Sequence, residues 1–116
     1  MRTLSAGLRV ADLDASLAFY AALGFTMAYG GEEAEFTSFR VAGQHVNLTS
    51  ESGGAPGGGL VRIIFYVDDV DAMHRHVLAQ GLRPESSPRD APWGERYFHV
   101  TDPDGHTLSF ARPLGW

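Results

Sequence analysis

Val10-Ala11-Asp12-Leu13-Asp14-Ala15 and Val67-Asp68-Asp69-Val70-Asp71-Ala72 are the two stretches on which the fold turns. Val, both Asp and Ala recur at a constant offset of 57 residues, and the same offset carries Gly24 onto Gly81. Each stretch follows a β-like run, Leu4 to Val10 or Leu60 to Val67, and opens a helical pattern. In the first helix Leu13, Leu17, Tyr20 and Ala21 fall on one apolar face; in the second Val70, Met73, Val77 and Leu78 do the same. An Asp near each start can accept from free N–H groups, and Gly24 and Gly81 suit a left-handed C-terminal cap. Five identities at fixed spacing with matching periodicity make the chain a tandem duplication.

β-type sequence follows each helix. Ala34 to Val41 and His45 to Thr49 flank Ala42-Gly43-Gln44, which reads as a hairpin connection. Arg96 to Thr101 and Thr107 to Ala111 flank Asp102-Pro103-Asp104-Gly105-His106, where Pro and Gly supply the turn and His106 is expected to face solvent. Between the halves, Ser52 to Gly59 is a Gly-rich flexible linker, and Pro84 to Pro92 reads as a loop leading to Trp93. The expected organisation is one domain, residues 1–116, of two βαβββ modules at about 1–51 and 60–116.

These motifs resemble a known family. The strand, Val-x-Asp-Leu-Asp, Phe19-Tyr20 and Leu23-Gly24-Phe25 look like the opening of a vicinal-oxygen-chelate module. Pro92-Trp93-Gly94-Glu95-Arg96-Tyr97-Phe98 and Asp102-Pro103-Asp104-Gly105-His106 resemble its closing segment. The similarity runs from about Leu4 to Leu114 and points to the glyoxalase/bleomycin-resistance/dioxygenase group, in particular its bleomycin-binding members. It implies an α+β fold in which tandem modules form a curled mixed sheet, a cup with helices on its outer face. It also implies a homodimer with ligand grooves between subunits. It does not fix function, because this superfamily hosts lyases, isomerases, dioxygenases, thiol transferases and pure binding proteins.

Metal-using members resemble one another in placing His, Gln or Glu early in each module's first strand and Glu in its last. The matching positions here are Ser5 and Arg62, then Asn47 and Ser109. None is a usual ligand for a catalytic divalent ion, and Arg62 would set a fixed positive charge beside it. No metal and no cofactor are therefore expected. A non-standard site built on His45 and His99 stays open beside the plainer reading, in which both line a polar cavity. His74 and His76, two apart on a helix, point in different directions.

Strand alternation fills in the cup that the resemblance implies. Ala6, Leu8 and Val10 go to the helix side, with Ser5, Gly7 and Arg9 opposite; Val61, Ile63, Phe65 and Val67 go to the helix side, with Arg62, Ile64 and Tyr66 facing in. Phe98 and Val100 read as core, turning Tyr97 and His99 inward. The register of Phe36 to Val41 is ambiguous, so alternation does not decide which of Phe36 and Phe39 faces in. The candidate ligand-binding set is Arg62, Tyr66, Trp93, Tyr97, His99, His45, Asn47, Ser109 and Phe39. Aromatic rings and hydroxyls around one arginine suit a planar or amphiphilic ligand. Each has a plainer alternative: Trp93 beneath a partner subunit, Arg62 paired with a carboxylate, the tyrosines bonded to backbone.

Composition narrows the function classes. The 116 residues are 44% apolar and 20% charged, an ordinary globular balance. There is no cysteine, which removes disulfides, thiolate nucleophiles and thiolate metal sites. A net charge of −5, with nine scattered arginines and no lysine, opposes nucleic-acid binding and favours cationic small molecules. No signal peptide or membrane span is evident, so a cytoplasmic protein without a membrane partner is expected. There is no Gly-x-Ser-x-Gly elbow, and the Gly-rich linker lacks the Gly-Lys-Ser/Thr ending of a phosphate loop. Binding is therefore favoured over catalysis. The leading reading is capture of an antibiotic-like natural product in an aromatic cleft of a homodimer. The alternatives are a metal-dependent lyase, isomerase or dioxygenase with unusual ligands, and binding or turnover of a carboxylated metabolite.

Overall fold

The computed structural model describes residues 5–31, 36–49 and 61–116. The Gly-rich linker at 52–59 lies outside the described residues. The chain divides into two compact units, Met1–Gly59 and Leu60–Trp116.

The first unit holds β1 (Ser5–Arg9), α1 (Leu13–Ala22), β2 (Thr26–Tyr29), β3 (Phe36–Val41) and β4 (Gln44–Thr49), with sheet order β1-β4-β3-β2. The second holds β5 (Arg62–Tyr66), α2 (Val70–Ala79), β6 (Arg89–Asp90), β7 (Glu95–Thr101) and β8 (Thr107–Pro113), in the order β5-β8-β7-β6. In both, the first strand pairs parallel with the last and the other pairings are antiparallel. The result is a duplicated βαβββ, an α+β fold of two four-stranded mixed sheets with one helix each.

The duplication extends to single hydrogen bonds. Asp12 Oδ1 accepts from the Ala15 N–H at 3.2 Å, and Asp69 Oδ1 from the Ala72 N–H at 3.0 Å, capping each helix with a carboxylate at its positive end. Each helix closes in a Schellman motif around a glycine of positive φ, Gly24 (101°) and Gly81 (79°). Gly24 and Phe25 donate to Ala21 and Tyr20; Gly81 and Leu82 donate to Leu78 and Val77. Phe25 also packs on Tyr20 at 5.7 Å, the apolar contact that accompanies such a cap.

The helix faces differ from the sequence reading at one position each. Leu13, Leu17 and Tyr20 of α1 are buried, but Ser16 completes the face and Ala21 is exposed. Val70 and Val77 anchor α2, Met73 is half-buried and Leu78 is 52% exposed. In each case the later of two adjacent apolar residues turns out of the contact stripe.

Each unit's core lies between its helix and one sheet face. Tyr20 and Phe39, both 0% exposed, meet at 6.0 Å in the first. In the second Phe110 stacks on both Phe65 and Phe98, each at 5.4 Å, and His74 meets Phe98 edge-on at 5.1 Å. Burying each such ring contributes about 1.5–3 kcal/mol. The β3–β4 connection is a two-residue turn with both φ positive, Ala42 (48°) and Gly43 (80°), the geometry that matches strand twist. Gln44 belongs to the strand, paired with Val41.

His106 is 2% exposed rather than solvent-facing. Asp102 Oδ1 accepts from the Asp104 and His106 N–H groups at 2.9 and 2.8 Å and folds the turn inward. His106 Nδ1 then accepts from the Val61 N–H at 3.0 Å, fixing the start of β5. Nor is Pro84 to Pro92 wholly a loop, since β6 pairs Arg89 with Tyr97 and Asp90 with Arg96.

Candidate functional site

Pairing registers settle which side chains share a face. In the second unit Arg62 lies opposite Thr107, Ile64 opposite Ser109 and Tyr66 opposite Ala111. Across β8, Ser109 faces His99 and Ala111 faces Tyr97. Phe98 belongs to the helix side, and Arg96 reaches Asp71 of α2, so Glu95, Tyr97 and His99 occupy the opposite face. This face brings together six of the nine candidates: Arg62, Tyr66, Trp93, Tyr97, His99 and Ser109.

Trp93 stands at the tip of a turn between β6 and β7, closed by the Gly94 N–H donating to the Ala91 carbonyl at 3.0 Å. Pro92 presets the turn and Gly94 takes φ 94° at its end. The indole is 68% exposed, yet it stacks on Tyr97 at 5.7 Å with planes 28° apart. Tyr97 in turn lies 4.9 Å from His99, and the Arg89 guanidinium sits 5.8 Å from the Tyr97 centroid on the edge strand. The result is a ladder of three rings along β7. Tyr66, 53% exposed, faces it from β5 with Trp116 at 5.9 Å. Trp93, Tyr66 and Trp116 thus leave a large area of aromatic ring exposed on the second unit.

The polar groups are few and specific. Ser109 Oγ and His99 Nδ1 are 2.7 Å apart. Burial, and then the Arg62 charge, hold the His99 imidazole below its ordinary pKa, favouring the neutral ring. Glu95 Oε1 accepts from the Trp93 indole N–H at 2.9 Å, and the same carboxylate bonds the Tyr66 hydroxyl, raising that phenol's pKa. Arg62 makes no ion pair among the described residues, whereas Arg96, on the helix side, is held by Asp71 at 2.9 Å and Asp90 at 3.0 Å. Arg96 keeps the Asp71 carboxyl below its usual range and ties α2 to β6 and β7.

Sequence reasoning missed Glu95, Arg89 and Trp116 as members of this face. The signal for Glu95 was present, since period-two alternation back from Tyr97 reaches it. Arg89 sits on a two-residue strand, too short for any periodicity to show.

The first unit carries His45 and Asn47 on the corresponding face. His45 Nδ1 lies 3.1 Å from Ser38 Oγ, and the buried Asn47 Oδ1 has no hydrogen-bond partner. Phe39 is not on this face: it is fully buried against Tyr20 and Phe25. Its neighbour Phe36, 41% exposed, is the ring that turns away from the helix.

The registers also align the two modules strand for strand. Gly7 opposes Asn47 as Ile64 opposes Ser109, so Asn47 and Ser109 are equivalent positions, as are Ser5 and Arg62. The donors do not fit a divalent ion. Arg62 is cationic, the Ser109 hydroxyl is engaged by His99, and Asn47 is a neutral amide. Among the described residues no three His, Asp or Glu side chains converge as a metal would need.

This architecture defines a class, and comparison names it. Residues 2–110 match the model of the Glyoxalase/Bleomycin resistance protein/Dioxygenase superfamily, and the chain belongs to that superfamily. It is similar to a bleomycin resistance protein of Geobacillus stearothermophilus, 37% identical over 49 residues, 41% of this chain and 37% of that protein. Matches to curated relatives span only 34–38% of the relatives' own length. Among solved structures, a bleomycin-binding protein complexed with bleomycin superposes with a TM-score of 0.78 at 22% identity, covering 97% of this chain and 98% of that one. A lactoylglutathione lyase from Agrobacterium tumefaciens superposes equally well, with a TM-score of 0.78, 23% identity, and 97% and 94% coverage. At these identities the structural likeness is one of fold. Among the described residues no helix is long and apolar enough to cross a membrane.

Proposed function

We propose that this chain is a metal-free small-molecule-binding protein that sequesters an antibiotic-like natural product, working as a cytoplasmic homodimer. One observation carries the reading: the second sheet presents a ladder of rings, Trp93–Tyr97–His99, faced by Tyr66, while Arg62 and Ser109 on the same face stand at the positions matched to metal ligands and supply no imidazole or carboxylate. Flat rings stack on such a surface without chemistry, and a few fixed polar groups orient them. The similarity to bleomycin resistance proteins supports the same class of ligand. The negative net charge favours capture of cations. Capture is stoichiometric and reversible, with affinity set by stacking area and by the His99–Ser109 and Glu95 hydrogen bonds.

The test is a titration of the purified protein, followed by tryptophan fluorescence, against bleomycin and related DNA-cleaving glycopeptides. Saturable quenching at one ligand per chain, or one per two chains, with a dissociation constant of about 1 μM or below is expected, equivalent to roughly −8 kcal/mol. No binding across the panel in that range would exclude sequestration of those drugs.

A further inference from the structure

Two features of the first module fall side by side. Gly7 sits in the middle of β1, where a glycine costs the strand both backbone entropy and side-chain packing. The usual reasons for a glycine do not apply. Its φ is not positive, and a Cβ built on it would meet nothing within 4 Å among the described residues. The space above Gly7 is open. Directly across the β1–β4 pair stands Asn47, whose Oδ1 is buried with no hydrogen-bond partner among the described residues. Folded proteins keep few such acceptors, because each forfeits its hydration without return. Ser38, opposite Asn47 in the β3–β4 pair, does not serve it, since Ser38 Oγ is turned to His45 Nδ1 at 3.1 Å.

A cavity of about 210 Å³ opens at this place, lined by Gly7, Leu8, Arg9 and Thr49. The Arg9 guanidinium can donate and never accept, the Thr49 hydroxyl can do either, and Asn47 beside Gly7 offers an acceptor. The Asn47 χ2 torsion joins an sp³ to an sp² carbon and is soft, so Oδ1 turns toward an arriving donor at little cost. We infer that the space over Gly7 is a subsite for a compact planar group bearing both N–H and C=O: a carboxamide, a ureide or a lactam. Its N–H donates to Asn47 Oδ1, and its carbonyl accepts from Arg9 or Thr49. Gly7 is then a specificity-determining residue, since any side chain there fills the room that the amide takes. The inference concerns the first module alone and does not rest on the ring-binding role proposed for the second.

The probes are acetamide and two isosteres: acetone, which keeps the carbonyl but has no N–H, and acetamidinium, which keeps the N–H groups but has no carbonyl. Each is titrated into the isotope-labelled full chain and followed by amide chemical shifts. Acetamide is expected to give saturable shifts centred on Gly7, Arg9, Asn47 and Thr49, with a dissociation constant of about 1–10 mM for so small a ligand. Acetone and acetamidinium should each bind about fivefold more weakly, the effect of one hydrogen bond. Gly7→Ala should weaken acetamide and Gly7→Val should abolish its shifts, with the rest of the spectrum retained because neither side chain meets a clash. Asn47→Leu removes the acceptor at similar volume and should bring acetamide down to the level of acetone. Undiminished acetamide binding in Gly7→Val, or no saturable shifts at these residues in wild type, would overturn the subsite. Equal affinity for all three probes would overturn its assignment to an amide.

Discussion

Ser109 Oγ lies 2.7 Å from His99 Nδ1 across the β7–β8 pair, a hydroxyl and an imidazole joined on the open face of the second sheet. The contact fixes the orientation of the imidazole. Ser109→Ala should cost about 1 kcal/mol in denaturant-measured stability by leaving that nitrogen unpaired. Arg62→Gln should raise the His99 pKa, read from the imidazole proton shifts by NMR, because it removes a cation that disfavours the charged ring.

His99 also predicts a pH dependence. Its pKa is held down in the folded chain, chiefly by burial, so the unfolded chain binds this proton more readily. That stabilisation is fully present above the unfolded value, roughly 6.5, and is lost as pH falls through and below it. Urea denaturation at stepped pH should show stability declining from neutral toward acid. In His99→Gln the decline should be shallower.

Phe36 and Phe39 separate by burial. Phe39→Ala should destabilise the protein by about 3–5 kcal/mol, because it opens a cavity between α1 and the first sheet. Phe36→Ala should cost well under half as much by the same measurement. Equal costs would return Phe39 to the open face.

The paired caps give an internal control. Asp12→Ala and Asp69→Ala each remove one side-chain acceptor from an equivalent helix start, and each should cost about 1 kcal/mol. Urea melts of the two variants should therefore shift by similar amounts.

Much of the fold was legible because the duplication was written in residues with strong local meaning. Asp12, Asp69, Gly24 and Gly81 each determine a backbone conformation, and the 57-residue offset made each half a check on the other. The face in the second module was legible for the same reason: β5 alternates cleanly, so Arg62, Ile64 and Tyr66 fall together. Phe39 was not, because β3 buries Thr37, Ser38 and Phe39 in succession and hides the period of two. What places Phe39 in the core is Tyr20, a partner nineteen residues upstream that local pattern does not reveal. His106 was misread for a similar reason. An Asp-Gly turn is ordinarily exposed, and here a bond to Val61, 45 residues away, draws it in.

The β5–β8–β7 face of the second module is proposed to take a small molecule. The most direct test is amide chemical-shift mapping of the isotope-labelled chain as copper-free bleomycin is added. The predicted result is a set of saturable shifts concentrated at Arg62 to Tyr66, Trp93 to His99 and Ser109, attenuated in Trp93→Ala. Saturable shifts confined to α1, α2 and the residues beneath them, with this face unmoved, would contradict it.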